Sequence, residues 1–214
     1  MERLPFELPA FTRTSWVSDR AREVWGPRLE QIARAWQEIE WRTVAAGVRA
    51  CAALFVSPEE FMTKGAVWAE QGLNALPVGL QAASGSYTSK VVDPRPGQRF
   101  MYRFVLGTPG DVVRFKAAWD GEDNRTIGQL LGYPDCCQGF FHDVWVKQGL
   151  TDTTWPRAVA APSAADKPGR LEVAGPPETN LLWHWQAVRA VPHLPCWFDC
   201  AARVSYSAWS FSRR

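Results

Sequence analysis

The chain has 214 residues, of which 46% are hydrophobic and 21% are charged, values that are typical of a globular domain with a substantial core. Its net charge of +2 lies below the strongly basic signature of dedicated nucleic-acid binders, so binding to nucleic acid is allowed but not indicated. The sequence has no apolar run of the length that a membrane-spanning helix requires. Its N-terminus lacks the apolar stretch of a secretory signal. Together with an odd number of cysteines, five, this favours a reducing, cytoplasmic compartment over a disulfide framework.

The N-terminal quarter of the sequence predicts an arm followed by two helices. Residues 1–12 form the arm, and Pro27 is placed in the first turn of an amphipathic helix. Four apolar residues recur after it at helical spacing: Leu29, Ile32, Trp36 and Ile39. Residues 50–56 are apolar and are interpreted as a buried strand or as the tail of this helix. Residues 57–60, Ser-Pro-Glu-Glu, form a capping box that begins a second helix, which runs to about Gln71.

The middle of the chain predicts a small antiparallel sheet. Three β-prone segments are separated by Gly, Ser, Pro and Asp residues: residues 76–83, 87–92 and 99–106. Two further helices are predicted at residues 111–119 and 127–131. The expected fold is therefore a single α+β domain, mostly helical, with the small sheet in its middle.

The C-terminal third is rich in proline, alanine and glycine. Residues 151–178 are predicted to form a long loop or lid. A short helix at 180–186 and a short strand at 187–191 follow. A last helix is predicted from Pro195, and residues 208–214 are expected to be a frayed tail.

The first cysteine motif spans residues 130–137, which read Leu-Leu-Gly-Tyr-Pro-Asp-Cys-Cys. The glycine is expected to end one helix and the proline to begin the next, so that Cys136 and Cys137 lie in a first helical turn. Free N–H groups and the helix dipole in that turn are expected to lower the pKa of both thiols. Since successive side chains on a helix diverge by about 100°, one of the two is expected to bind a metal while the other remains a spare thiol.

The second motif spans residues 193–200, which read His-Leu-Pro-Cys-Trp-Phe-Asp-Cys. Cys196 and Cys200 are four residues apart and would share one face of the predicted helix, with Cβ atoms about 6 Å apart. Side-chain rotamers can close that gap to the roughly 3.8 Å that separates two thiolates on one zinc ion. The wider span of an iron–sulfur cluster fits with less strain. His193, just before the helix, is a further candidate ligand.

The cysteines have two other interpretations, as buried apolar residues or as the zinc ligands of a nucleobase deaminase. Unpaired cysteines often pack as small apolar residues, and Cys51, which lies among alanines, is assigned to that role. The signature of the zinc nucleobase deaminases is absent because the chain has no His-x-Glu and because its second cysteine pair is spaced one residue too far apart.

The two motifs supply most of the candidate site residues. The predicted metal ligands are Cys137, Cys196, Cys200 and His193. The candidate catalytic groups lie beside or within the motifs: Asp135, Asp199 and Cys136. Helix capping and dipole compensation are the ordinary alternatives for the two aspartates. The candidate substrate contacts are Arg189, Tyr133 and Trp197, for which a surface salt bridge or core packing is the alternative.

Both motifs resemble those of a prokaryotic family of uncharacterised proteins, which is marked by Leu-Gly-Tyr-Pro-x-Cys-Cys and by a later His-x-Pro-Cys…Cys segment. The resemblance covers about the last half of the chain. It implies a shared cysteine site and brings no established reaction with it.

Three functions remain open on the sequence. The first is a metal-dependent enzyme, with an iron–sulfur cluster as the first choice of cofactor and zinc as the second. Such an enzyme would perform lyase-type or redox chemistry on a small anionic or heterocyclic substrate held near two helix N-termini. The second is a non-catalytic, zinc-stapled module that binds protein or nucleic acid. The third is a metal-free thiol redox protein that uses the adjacent cysteine pair.

Overall fold

The computed structural model describes residues 16, 18–82, 93–149, 157, 165–167, 170–172 and 193–200. Within these residues the α-helices are Asp19–Ala45 (α1), Pro58–Glu70 (α2), Pro109–Asp120 (α3), Asn124–Leu130 (α4) and Asp135–Phe141 (α5). A π-helical segment, His142–Lys147, continues α5. The strands are Cys51–Val56 (β1), Asn74–Ala82 (β2), Phe100–Gly107 (β3), Ala165–Lys167 (β4) and Arg170–Glu172 (β5). These elements confirm the α+β class. Within the described part of the chain, no helix is long and apolar enough to cross a membrane.

Helix α1 begins two turns earlier than the sequence predicts. Pro27 lies inside the helix, so its placement in the first turn is wrong. The helix begins at Asp19 because the Ser18 side chain accepts a hydrogen bond from the Ala21 N–H at 3.1 Å, and because Asp19 adds a negative charge to the first turn. The apolar face beyond the proline is confirmed, with Leu29 and Trp36 both buried.

Helix α2 begins with the predicted capping box. The Ser57 side chain accepts from the Glu60 N–H at 3.1 Å, and the Glu60 carboxylate accepts from the Ser57 N–H at 2.8 Å. Two N–H groups at the helix start are thus satisfied locally. The helix ends at Glu70 with Gln71 as its C-cap, which agrees with the predicted end.

The central sheet has three antiparallel strands in the order β1-β3-β2. Strands β2 and β3 confirm two of the three predicted segments. The third strand of the sheet is β1, so the segment at 50–56 is a strand and not a helix tail. Residues 87–92, which were predicted as a strand, lie outside the described residues.

Both faces of the sheet are covered, because alternate residues of the central strand point into two separate cores. On one face, Phe104 and Leu106 of β3 pack with Trp41 of α1 and Trp68 of α2. On the other face, Val105 packs with apolar residues of α3, α4 and the turn after α4: Val112, Phe115, Leu130 and Leu131. The second core therefore reaches directly to the segment that carries the first cysteine motif.

The predicted loop in the C-terminal third contains a pair of strands. Strands β4 and β5 form an antiparallel pair inside the predicted loop 151–178, so that prediction is wrong for this stretch. The composition argument gave no weight to the Pro-Gly dipeptide at positions 168–169, which is a sequence signal typical of turns. The other predicted features of the termini and of residues 180–191 lie outside the described residues.

Candidate metal centre

The first motif begins with a turn that ends α4. The Gly132 N–H donates to the Gln129 carbonyl at 3.0 Å, and the Tyr133 N–H donates to the Gly128 carbonyl at 2.9 Å. This is the pair of hydrogen bonds that defines a Schellman ending. Gly132 adopts a φ of 71°, a left-handed conformation that favours glycine. The predicted helix break at the glycine is confirmed.

Hydrogen bonds connect residues 133–138 at the start of α5. The Cys137 and Gln138 N–H groups donate to the Pro134 carbonyl at 2.9 and 3.0 Å. The Gln138 side-chain amide donates back to the Tyr133 carbonyl at 2.6 Å. These hydrogen bonds connect the turn after α4 to the first turn of α5, and they position the backbone of Cys136 and Cys137.

Arg49 fastens this turn to the rest of the fold, and the sequence analysis did not identify it. The side chain is buried and donates to the Thr43 hydroxyl at 2.8 Å and to the Glu40 carbonyl at 2.6 Å. Its stem lies against Gly132, where a Cβ atom would stand 3.0 Å from the Arg49 Cβ. An arginine gives no sequence signal for such a role because this residue type is mostly exposed.

The second motif is not a helix. Residues 193–200 form bends and a turn, in which the Cys200 N–H donates to the Trp197 carbonyl at 3.4 Å. The predicted helix from Pro195 is therefore wrong over these residues. Cys196 and Cys200 nevertheless converge, with their sulfurs 3.4 Å apart. The tight turn brings them together in place of the helix face that was expected.

The sulfurs of the two motifs meet at one point. Cys136 Sγ lies 3.8 Å from Cys137 Sγ, and each of these lies 3.8 Å from Cys200 Sγ. All four sulfurs, including that of Cys196, lie within 4.8 Å of one another. The expectation that only one of the adjacent pair would face the site is wrong, because both side chains turn toward Cys200. None of the five cysteines, all of which lie in the described residues, forms a disulfide.

The four cysteines, here called the sulfur cluster, differ in exposure. Cys137 and Cys200 are buried, Cys196 is half-buried and Cys136 is exposed. Burial raises the pKa of the Cys137 thiol, and neighbouring cysteines raise it further, although the backbone N–H of Cys196 donates to this sulfur and acts in the opposite direction. Burial likewise raises the pKa of the Cys196 thiol to about 12. The expected lowering at the helix N-terminus is therefore wrong for Cys137, since loss of hydration outweighs the dipole there.

The remaining predicted site residues lie around the sulfur cluster. His193 is not part of it; its ring packs against that of Tyr133, with centroids 5.2 Å apart. Asp135 lies in the first turn of α5 and is exposed, as is Asp199. Trp197 is 44% exposed. Arg189 lies outside the described residues.

The far end of α5 carries a buried cation that the sequence analysis also missed. Arg157 is 1% exposed, and its guanidinium carbon lies 4.1 Å from the centroid of the Phe140 ring. Such a stacked cation attaches Arg157 to the helix that presents the cysteine pair. In the π-helical segment, Val144 is buried and Trp145 stacks on Phe141.

The arrangement can hold one metal ion. Four cysteine sulfurs converge from two directions, which is the number of ligands that a tetrahedral metal ion takes, and most of them are shielded from water. Comparisons with protein-family models, with curated proteins and with solved structures found no significant match to this chain. The resemblance of the two motifs to the prokaryotic family accordingly stays a prediction.

Proposed function

We propose that the chain is a zinc-binding domain, in which one zinc ion bound by the sulfur cluster fastens residues 193–200 to the start of α5. The observation that carries this proposal is the spacing of the four sulfurs. The role of the ion is structural, which corresponds to the zinc-stapled module among the functions left open by the sequence.

The sulfur spacing favours a single ion. A zinc–sulfur distance of about 2.3 Å in tetrahedral geometry sets neighbouring sulfurs about 3.8 Å apart. Three of the sulfur pairs are separated by 3.8 Å and a fourth by 3.4 Å. An iron–sulfur cluster, the first choice from the sequence, places several iron and sulfide ions between its cysteines and so holds them farther apart. The spacing therefore supports zinc over the cluster.

The local backbone also supports a structural zinc site. Cys196 and Cys200 lie in a tight turn, the setting in which structural zinc sites present cysteine pairs. The hydrogen bond from the Cys196 N–H to the Cys137 sulfur is the kind of outer contact that orients a metal-bound thiolate. Four sulfur ligands leave no open position for substrate, which distinguishes a structural zinc from a catalytic one.

The ion would contribute substantially to stability. It joins Cys137 to Cys200, which are 63 residues apart, and so closes a long loop. Because buried thiols and a converged sulfur cluster form only in the folded chain, the free energy of zinc binding becomes free energy of folding.

The test is metal analysis of the full chain and of two matched variants. We expect one zinc per chain in the wild type, loss of that zinc in Cys200→Ser, and retention in Cys51→Ala, which removes a buried cysteine outside the cluster. Cobalt(II) substituted for zinc should give the visible spectrum of a tetrahedral thiolate site. A brown protein with stoichiometric iron and sulfide would replace the proposal with the iron–sulfur enzyme. A metal-free protein with four reactive thiols or with disulfides would replace it with the thiol redox protein.

A further inference from the structure

The geometry points to a further activity at the same centre: the Cys136 sulfur accepts alkyl groups from carbon electrophiles, and it prefers neutral or cationic donors over anionic ones. This inference rests on the zinc centre proposed above. It assigns to one of the four ligands a group-transfer reaction that a purely structural site would not require.

Exposure singles out Cys136 among the four sulfur ligands. Cys137 is 2% exposed and Cys200 is 6% exposed, so both are shielded by the protein. Cys196 is half-buried in its turn, and Cys136 is exposed on the first turn of α5. A reagent that approaches from solvent therefore meets the Cys136 sulfur first. Cys51 is fully buried and serves as an internal, unreactive reference.

The chemistry follows from the ionisation of a bound cysteine. Cysteines bind metal as thiolates, and the thiolate is the nucleophilic form of this side chain. In the reaction, the Cys136 sulfur uses a lone pair to form a bond to the electrophilic carbon. The bond from that carbon to its leaving group breaks, and the leaving group departs with the bonding electrons. The products are a thioether on Cys136 and the departed leaving group, which is an anion for a neutral donor such as iodoacetamide and a neutral molecule when the leaving group starts with a positive charge, and no oxidant or reductant is consumed.

Charge determines which electrophiles can approach. Four thiolates around one divalent ion carry about two negative charges in excess. Asp135 and Asp199 are exposed and adjoin Cys136 and Cys200 in sequence, so they add to the negative potential. This differs from the anionic substrate predicted from the sequence, because residues 193–200 do not form the second helix whose N-terminus was expected to attract an anion. An anionic alkyl donor is repelled, whereas a neutral or cationic one is not.

The test compares iodoacetamide with iodoacetate on the zinc-loaded full chain. Peptide mapping by mass spectrometry should place the first adduct on Cys136, with Cys51 unmodified. The rate ratio is the alkylation rate with iodoacetamide divided by that with iodoacetate. At low salt this ratio should exceed the value measured for free cysteine by about tenfold, and the excess should shrink as salt is added. A first adduct on Cys196, an even distribution over the four ligands, or a rate ratio equal to that of free cysteine would overturn the inference.

Two variants test the roles of Asp135 and Cys136 separately. Asp135→Asn should lower the rate ratio by about threefold because it removes one nearby negative charge. Cys136→Ser should abolish the first adduct; should this variant fail to bind zinc, the mapping on the wild type still decides the outcome. Zinc content, measured before alkylation, separates the two proposals: a chain without zinc refutes the zinc centre itself, whereas a zinc-loaded chain that reacts elsewhere refutes only the role of Cys136.

Discussion

Substitution of Gly132 by alanine tests whether the turn before α5 is held by Arg49. An L-residue in the left-handed region costs about 1–2 kcal/mol, of which about 0.4–1 kcal/mol is recovered because the unfolded chain becomes less flexible. The new Cβ would also stand 3.0 Å from the Arg49 Cβ. Arg49 cannot move without straining its hydrogen bonds of 2.8 and 2.6 Å, and losing one such bond costs about 1–2 kcal/mol. Gly132→Ala should therefore lower the free energy of unfolding by about 2–3 kcal/mol.

Gly72 offers a matched control for this prediction. It has the same φ of 71°, but a Cβ there would meet nothing within 4 Å. Gly72→Ala should cost about 1 kcal/mol or less, so the two variants should differ by several degrees in Tm. Thermal unfolding monitored by circular dichroism and zinc competition with a chelator are the assays. Gly132→Ala alone should weaken zinc binding. Equal losses of Tm in both variants, or unchanged zinc affinity in Gly132→Ala, would refute the role of Arg49.

Three further predictions concern the surrounding fold. Ser57→Ala removes the hydrogen bond that the Ser57 side-chain oxygen accepts from the Glu60 N–H, while the Ser57 N–H can still donate to the Glu60 carboxylate, and it should cost about 1 kcal/mol in urea unfolding; an unchanged midpoint would contradict it. Gln138→Ala removes the bond to the Tyr133 carbonyl and should cost about 1 kcal/mol while also weakening zinc binding in chelator competition. Burial raises the pKa of the Cys51 thiol to about 12, so the folded chain keeps a proton that the unfolded chain releases above pH 9. In the zinc-loaded chain, where the four proposed ligands do not titrate as free thiols, Cys51 should lower the stability by about 1.4 kcal/mol per pH unit from pH 9 towards 12, and this contribution should be absent in Cys51→Ala.

Much of the fold could be predicted because its signals are local. The capping box that begins α2 depends on residues three positions apart, and the apolar face of α1 repeats at helical spacing. The start of α1 was predicted wrongly because the prediction used Pro27 as the start signal, whereas the helix begins at the Ser18 cap. Strand β1 remained ambiguous because a short apolar run fits a buried strand and a helix tail equally well. Only its pairing with β3, a non-local interaction, decides between them.

The sequence predicted which cysteines form the site, but not how their side chains are arranged. The two cysteine motifs were expected to meet, and their sulfurs lie within 4.8 Å of one another. The directions of Cys136 and Cys137 were predicted wrongly because the rule of about 100° per residue describes where side chains leave an ideal helix, and not where their sulfurs end after rotation about χ1. Arg49 could not be found from the sequence, because only the fold brings its stem against Gly132.

The turn conformation of residues 193–200, in place of a helix, agrees with what the proposed zinc site would require of the backbone. A helical segment must gain its stability from hydrogen bonds along the chain and from an apolar face that packs on the core. A segment fastened by two cysteine ligands can obtain its stability from the metal instead, so its backbone is free to turn tightly and to aim both sulfurs at one point. In the structure this turn brings the Cys196 and Cys200 sulfurs to 3.4 Å, with the Cys196 N–H directed at the Cys137 sulfur. If zinc supplies the stability of this segment, its removal should release residues 193–200 from α5 while leaving the three-stranded sheet, whose two cores contain none of the four ligands, intact. Hydrogen exchange of the chelated chain should then show lost protection at α5 and at this turn alone, and a loss that extends to β3 would show that the cores themselves depend on the metal.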